Sequence, residues 1–373
     1  MKITKVQAWK TSPPNDCWHL LSIDTDRGLT GWGEYTGSGH DAAATAICHE
    51  AAFALLGADP LDIAARLDPY RRFSYPPRSD KLLAVAWSGM AQALWDIQAQ
   101  AWGIPLYRLL GGNRKEIPLY ANLNRGLFGD RSPAGHAKHT EQALAAGFAA
   151  AKCTPFDEVA PQTADWRIIN SGLDRLRAAT GAAGETRLVA VDCHRRFSAD
   201  LAGIFLERLG DLGAFRWVED LLDTAVADQY PAFRRAFPCV TWASGEETCS
   251  LAMALDLVCG AGRPDIFMPD VKYICGLDAI MAVCRAAEAK GCRISPHNPS
   301  GPVSQAFSAH MASACREAVV EYPYLSVPDR ADLTTPAEPV IQGRYILSDR
   351  PGLGLAPSRK ALEKHSLPLF AVS

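Results

Sequence analysis

Leu188-Val-Ala-Val-Asp192, Arg216-Trp-Val-Glu219 and Val240-Thr-Trp-Ala-Ser-Gly-Glu246 are three short strand-like runs, each ending on a carboxylate. From Asp192 to Glu219 is 27 residues, and from Glu219 to Glu246 is again 27. That interval is the length of one strand, one helix and two loops, so the runs predict successive parallel βα units. The pattern continues at Asp270, His297 and Glu321, spaced 24, 27 and 24 residues further on. Working outward, strands are expected at Pro118–Asn122, Ala149–Lys152, Leu188–Asp192, Arg216–Glu219, Val240–Gly245, Ile266–Asp270, Cys292–Pro296 and Ala318–Glu321. Eight strands alternating with helices close into a barrel, and residues recurring at this pitch stand side by side on its C-terminal rim, where such barrels build their active sites.

A single acid at a strand end is ordinarily a solvated loop residue or the cap of the next helix. Several around one rim would bury like charges together, which is costly without a counter-ion. A bound cation resolves the conflict. Asp192, Glu219 and Glu246 offer hard oxygen ligands suited to Mg²⁺ and leave positions for water and substrate; zinc is disfavoured, since no histidine falls at zinc-type spacing. His297 lies in the constrained loop Ser295-Pro-His-Asn-Pro-Ser-Gly-Pro302, one unit after Asp270, which is expected to orient its ring and raise its basicity. His194 follows Asp192 by two, so on an extended segment both side chains face the same side. Lys152 ends the second expected strand and reads either as positive charge at the site or as a snorkelling surface lysine.

Before the barrel, residues 1–35 alternate as a β meander, and residues 41–110 take a helical period, clearest from Leu83 to Trp102. After it, residues 322–373 carry several prolines, Pro351-Gly-Leu-Gly-Leu355 and a short basic helix, and are expected to leave the barrel. The net charge of −3 with both signs scattered argues against a nucleic-acid or anionic-membrane partner. No run of 18 apolar residues predicts a membrane helix, and no signal peptide is expected at the N-terminus. The eleven cysteines show no C-x-x-C spacing and read as buried, reduced thiols of a cytoplasmic protein.

Further motifs sharpen this frame: Gly31-Trp-Gly-Glu34, Ala93-Leu-Trp-Asp-Ile97 followed by Gly103-Ile-Pro105, Leu109-Leu-Gly-Gly112, Trp217-Val-Glu219, Gly245-Glu246, Pro269-Asp270 and Pro351-Gly-Leu-Gly354. Together they resemble the enolase superfamily, mandelate racemase subgroup, along nearly the whole chain. The resemblance implies an α/β fold: a modified TIM barrel, (β/α)7β, over residues 116–321, with an α+β capping domain over 1–115 that the segment 322–373 returns to complete. It also implies a shared partial reaction, in which a base removes the proton next to a metal-bound carboxylate and the metal stabilises the enediolate.

Racemases of the subgroup look as if they use a Lys-x-Lys pair on the second strand and a His-Asp dyad. Here Lys152-Cys-Thr154 has threonine in place of the second lysine, while His297 and Asp270 are present. Asp192-x-His194 is similar to galactonate dehydratase and its relatives, where the corresponding histidine protonates the leaving 3-hydroxyl. The resemblance therefore implies a Mg²⁺-dependent acid sugar dehydratase giving a 2-keto-3-deoxy acid, with His297–Asp270 as base and His194 as acid. Glu321 would hydrogen-bond the substrate carboxylate or enediolate, and Lys152 would add positive charge. The expected partner is a small sugar acid, and the expected assembly a homo-oligomer. A racemase or epimerase using Lys152 as second base, or a non-catalytic homologue, stays open. Two departures, Glu219-Asp220-Leu221 for Glu-Glu-Pro and Cys275-Gly276 for a double glycine, are not expected to touch a ligand. Specificity is expected from the loops Pro13–Trp18 and Gly37–His40.

Overall fold

Alternation in Ile3-Thr-Lys-Val-Gln-Ala-Trp produces β1 (Ile3–Thr11), whose Ile3, Val6 and Ala8 are buried. In the computed structural model, residues 1–373 are described except 38, 68–79, 161, 162, 164, 185–187, 211–216 and 223–227. Arg216 of an expected strand and Ser38 of an expected specificity loop thus lie outside the described residues. β1 pairs antiparallel with β2 (Trp18–Thr25), and β2 with β3 (Thr30–Glu34). Two helices cover this sheet, α1 (Asp41–Leu55) and α2 (Lys81–Ala101), the second capped by Asp80, whose carboxylate accepts from Leu83 N–H.

The glycines of Gly31-Trp-Gly-Glu34 have a steric cause. A Cβ on Gly31 would stand 2.1 Å from the Ala93 carbonyl oxygen of α2, and one on Gly33 would stand 2.0 Å from that of Gly89. Strand and helix meet backbone to backbone, and only glycine fits there. Asp96 of α2 ties this contact to the tail: Trp32 N–H donates to Oδ2 (3.1 Å) and Leu353 N–H to Oδ1 (2.8 Å). Burial raises Asp96 to about 6 despite these bonds.

The barrel strands are β4 (Glu116–Asn122), β5 (Ala150–Cys153), β6 (Leu188–Asp192), β7 (Trp217–Glu219), β8 (Thr241–Ser244), β9 (Ile266–Phe267), β10 (Arg293–Ile294) and β11 (Val320–Pro323). Successive pairs from β4 to β10 are parallel, and β11 returns parallel to β4. A parallel bridge from Ile294 to Ala318 joins β10 to the segment entering β11 and closes the ring. Helices α3 (Pro133–Ala145), α4 (Ile169–Ala183), α5 (Ala199–Gly210), α6 (Tyr230–Ala236), α7 (Leu251–Cys259), α8 (Leu277–Ala289) and α9 (Pro302–Ser313) follow β4 to β10 in turn. This is the (β/α)7β order expected. β9 and β10 are shorter than expected because Pro269 and Pro296 lack the N–H that would extend their ladders.

The tail pairs first beside the barrel, β12 (Arg344–Ile346) lying antiparallel to β4. Its last strand, β13 (Ser366–Val372), then joins the N-terminal sheet antiparallel to β1, with Val6 opposite Val372. None of the eleven cysteines is in a disulfide, and eight are buried. Among the described residues no helix is long and apolar enough to cross a membrane.

Gly33→Ala is expected to lower stability by about 2–3 kcal/mol, as overpacking does where the neighbour is backbone; an unchanged urea midpoint would count against the contact. A second expectation concerns His310 of α9. Its Nδ1 accepts from Tyr107 N–H (2.9 Å), so Nε2–H donates to the Leu353 carbonyl (3.0 Å), and burial pushes the ring down to about 4. The unfolded chain takes up this proton near 6.5. The contribution is therefore full above pH 6.5, is lost as pH falls towards about 4, and is worth about 3 kcal/mol. His310→Gln should flatten that part of the stability–pH curve relative to the parent protein.

Candidate active site

Parallel register sets the acids beside one another. Asp192 is opposite Glu219 in the β6–β7 ladder, Tyr120 of β4 is opposite Glu321, and Asn122 is opposite Lys152. Glu246 lies just past β8, after Gly245, whose φ of +127° turns the chain where a Cβ would strike the Phe267 ring at 2.7 Å. Lys152 reaches across the rim: its Nζ donates to Glu219 Oε1 at 2.6 Å and stands 3.0 Å from Glu321 Oε1 and 3.6 Å from Asp192 Oδ2. Lys152 is buried, not snorkelling. Burial pulls its ammonium down, but Glu219 and Glu321 overcome this and hold it well above its usual range. Glu321 Oε1 also accepts from Asn122 Nδ2 (2.5 Å), and its Oε2 accepts from Asn298 N–H (2.9 Å).

The two histidines stand on different loops of one cavity of about 560 Å³. His297 Nδ1 is 2.7 Å from Asp270 Oδ2, and its Nε2 is 3.1 Å from Glu246 Oε2. Burial lowers His297, but Glu246 and the Asp270 hydrogen bond outweigh it and raise the ring to about 9. His194 Nε2 stands 2.9 Å from Asp192 Oδ2, and its N–H donates to Asp192 Oδ1 (3.0 Å). The expected reason for that proximity was wrong. The chain is not extended here: His194 and Arg195 have φ of +47° and +55°, and this left-handed turn folds the ring back onto Asp192. His194 keeps 39% of its side chain exposed against 12% for His297.

The sequence reading missed Lys272. Its Nζ donates to both oxygens of Asp270 (2.8 and 2.7 Å), entirely out of solvent. The signal was available, since Asp270-x-Lys272 repeats the two-residue spacing of Asp192-x-His194. Burial raises Asp270, but Lys272 and the His297 hydrogen bond bring it down to about 2. The departure at Asp220 also reaches further than expected: Arg195 Nη1 is 2.8 Å from Asp220 and 3.8 Å from Glu246.

Asp192, Glu219 and Glu246 suit a hard cation in donor type. Glu219 Oε2 is buried and has no hydrogen-bond partner among the described residues, the condition a metal ligand would relieve, while Glu246 Oε2 faces the His297 ring at 3.1 Å. Burial, with Asp192, Glu321 and Glu246 nearby, raises Glu219 well above the carboxylate range in spite of Lys152. Among the described residues no three His, Cys, Asp or Glu side chains surround a common point. Lys152 and His194 hold Asp192 and Glu219 instead, and a cation there would exchange those contacts.

Residues 136–361 match the family described as Enolase C-terminal domain-like, and residues 6–111 match the Mandelate racemase / muconate lactonizing enzyme, N-terminal domain. The chain belongs to this enzyme family. It is similar to D-galactonate dehydratase of Verminephrobacter eiseniae, 31% identical over 315 residues that cover 83% of this chain and 78% of that protein. The D-galactonate dehydratase of Xanthomonas axonopodis pv. citri is 28% identical, covering 98% of this chain and 94% of its own. Among solved structures, an enolase from Agrobacterium radiobacter, described as a galactarate dehydratase and holding sodium and L-malate, aligns with TM-score 0.83 at 26% identity, covering 98% of this chain and 95% of that one. A mandelate racemase/muconate lactonizing enzyme from Jannaschia sp. shares the fold, with TM-score 0.87 at 23% identity and 98% of each chain covered.

Lys152→Met should destabilise the metal-free protein by about 3–5 kcal/mol, because it leaves Glu219 and Glu321 buried without their cation. Calorimetry or chemical unfolding reads this directly, and a variant as stable as the parent would show that the acids do not depend on Lys152.

Proposed function

We propose that the protein is a Mg²⁺-dependent acid sugar dehydratase, which removes the proton α to a carboxylate and eliminates the 3-hydroxyl to give a 2-keto-3-deoxy sugar acid. One observation carries this reading: two imidazoles bracket the acids, His297 beside Glu246 and His194 beside Asp192. Such an elimination needs a base at one carbon and an acid at the oxygen on the next. The names of the D-galactonate dehydratase relatives support the same assignment. In this reading residues 116–321 supply the chemistry, residues 1–115 cap it, and 322–373 complete the cap.

Asp192, Glu219 and Glu246 would hold the cation, which when bound supplies positive charge where the substrate carboxylate becomes more negative. With Glu246 turned from the ring to a cation, the charge that raises His297 would be drawn off and its Nε2 would take the α-proton, while Asp270 accepts from Nδ1–H, fixes the tautomer and stabilises the imidazolium. Lys272 keeps Asp270 ionised and in place. The electron pair released at the α-carbon forms the enediolate, then expels the 3-hydroxyl, which leaves as water with the proton from His194. Tautomerisation of the resulting enol gives the keto acid. Lys152 and Glu321 contribute a fixed charge and a hydrogen-bonding group at the substrate carboxylate. Epimerisation through Lys152 would need its amine free of the acids, whereas Nζ is engaged by Glu219 at 2.6 Å and Glu321 at 3.0 Å.

Two measurements test this reading. Chelation should abolish activity and lower the melting temperature, with Mg²⁺ restoring both. His297→Asn should lose dehydration and α-proton exchange with solvent deuterium together. His194→Asn should keep exchange while dehydration falls by about 10²–10⁴-fold, roughly 3–5 kcal/mol in the barrel's turnover step. Exchange surviving only in His297→Asn would reverse the two roles, and inversion of the α-carbon without keto acid would make the protein an epimerase.

A further inference from the structure

The cavity that holds both histidines runs outward to a rim of guanidinium groups. Arg125 and Arg131 follow β4, Arg196 follows β6, and all three line the same space as His194 and His297. Each is fixed by the protein. Arg125 Nη1 donates to Asp16 Oδ1 at 2.5 Å, drawing the Pro13–Trp18 loop to the site. Arg131 pairs with Asp157 and donates to the carbonyl oxygens of Asn124 (3.3 Å) and Thr154 (2.7 Å). Arg196 Nη1 donates to the carbonyl oxygens of Asp157 (2.9 Å) and Val159 (3.0 Å).

Charge compensation is uneven. Asp16 and Asp157 match two of the three guanidiniums, whereas the partners of Arg196 among the described residues are neutral carbonyls. Among the described residues the guanidinium rim therefore carries one positive charge with no carboxylate partner. A guanidinium held in place on one side is suited to grip a carboxylate through two parallel hydrogen bonds. A neutral hydroxymethyl group would leave that charge unmatched. Arg196 is also two residues past His194 and lines the same cavity.

We propose that the far end of the substrate is a second carboxylate, bound by Arg196 with Arg125 and Arg131 beside it, so that the protein prefers sugar diacids to sugar monoacids. The proposal rests on the dehydratase reading for which end of the substrate reacts. The names of the two D-galactonate dehydratase relatives specify a monoacid, whereas the Agrobacterium radiobacter structure is described as a galactarate dehydratase, whose substrate is a diacid.

The test pairs galactarate with D-galactonate and D-glucarate with D-gluconate, measuring both turnover and calorimetric binding in Mg²⁺ for the parent protein, Arg196→Met and Arg196→Lys. The diacid of at least one pair should be favoured in kcat/KM and in affinity by about 10–100-fold. Arg196→Met should collapse that ratio, and Arg196→Lys should restore part of it. A folded Arg196→Met protein that keeps the parent ratio overturns the proposal, as does a parent protein that treats diacid and monoacid alike. Diacid preference in binding without turnover of any acid would keep the rim assignment and overturn the dehydratase reading. Monoacid turnover indifferent to Arg196 would do the reverse.

Discussion

An ammonium group on β5 reaches Glu219 on β7 and Glu321 on β11 at 2.6 and 3.0 Å, with Asp192 of β6 at 3.6 Å. Asp192, Glu219 and Glu321 are gathered around that charge. Three buried acids on separate strands would repel one another, and their strands would have little reason to close with those residues inward. Lys152 supplies the counter-charge and, because it bonds to strands on either side of its own, couples distant parts of the ring. Alternate strands of an eight-stranded barrel point residues into a common layer, and Lys152, Glu219 and Glu321 occupy the second, fourth and eighth. The same contacts leave Glu219 Oε2 buried without a hydrogen bond, so the cluster is compact but incompletely satisfied. Such residual demand is what a cation site needs before the cation arrives.

The two imidazoles are made different by their surroundings rather than by their own chemistry. His297 is enclosed, with Asp270 and then Lys272 behind it, a chain of buried charges that fixes the ring from one side. His194 is held by a single carboxylate on a left-handed turn and keeps much of its surface open. A group that must take a proton from carbon benefits from fixed orientation, whereas a group that protonates a departing hydroxyl benefits from contact with solvent to recover its proton. The asymmetry in exposure matches that division of labour.

Much of this was legible in the sequence because it follows from pitch. A repeat of 24–27 residues dictates that Asp192, Glu219, Glu246, Asp270, His297 and Glu321 share one rim, whatever the details of the helices between them. The motif Gly31-Trp-Gly-Glu34 was legible as a motif but not as a cause, since the backbone contact with Gly89 and Ala93 joins residues about sixty positions apart. Local geometry was less accessible. Nothing in Asp192-Cys-His194 announces two successive residues of positive φ, and the extended reading reached the correct neighbour for the wrong reason. The engagement of Lys152 with three acids could not be read either, because a lysine at a strand end is compatible with a surface as well as a buried site. Lys272 was overlooked although its spacing from Asp270 was the same as one already used.

The cap is more than a cover for this arrangement. Glu34, at the end of β3, is fully buried and accepts from Gly301 N–H through Oε1 (2.9 Å) and from Ser304 N–H through Oε2 (3.0 Å). Those donors open α9, where a carboxylate also meets the positive end of the helix. The loop they terminate carries His297 and Asn298, and Asn298 N–H binds Glu321. A single carboxylate of the N-terminal sheet thus anchors the segment that sets the base and orients one rim acid. On the opposite side Asp16 of the cap holds Arg125. The cap therefore grips the rim at two places, near the proposed base and near the proposed distal anchor. Changes in its loops would alter the length of the space between those grips while leaving the acids around Lys152 untouched. That separation lets chemistry and specificity reside on different parts of one chain.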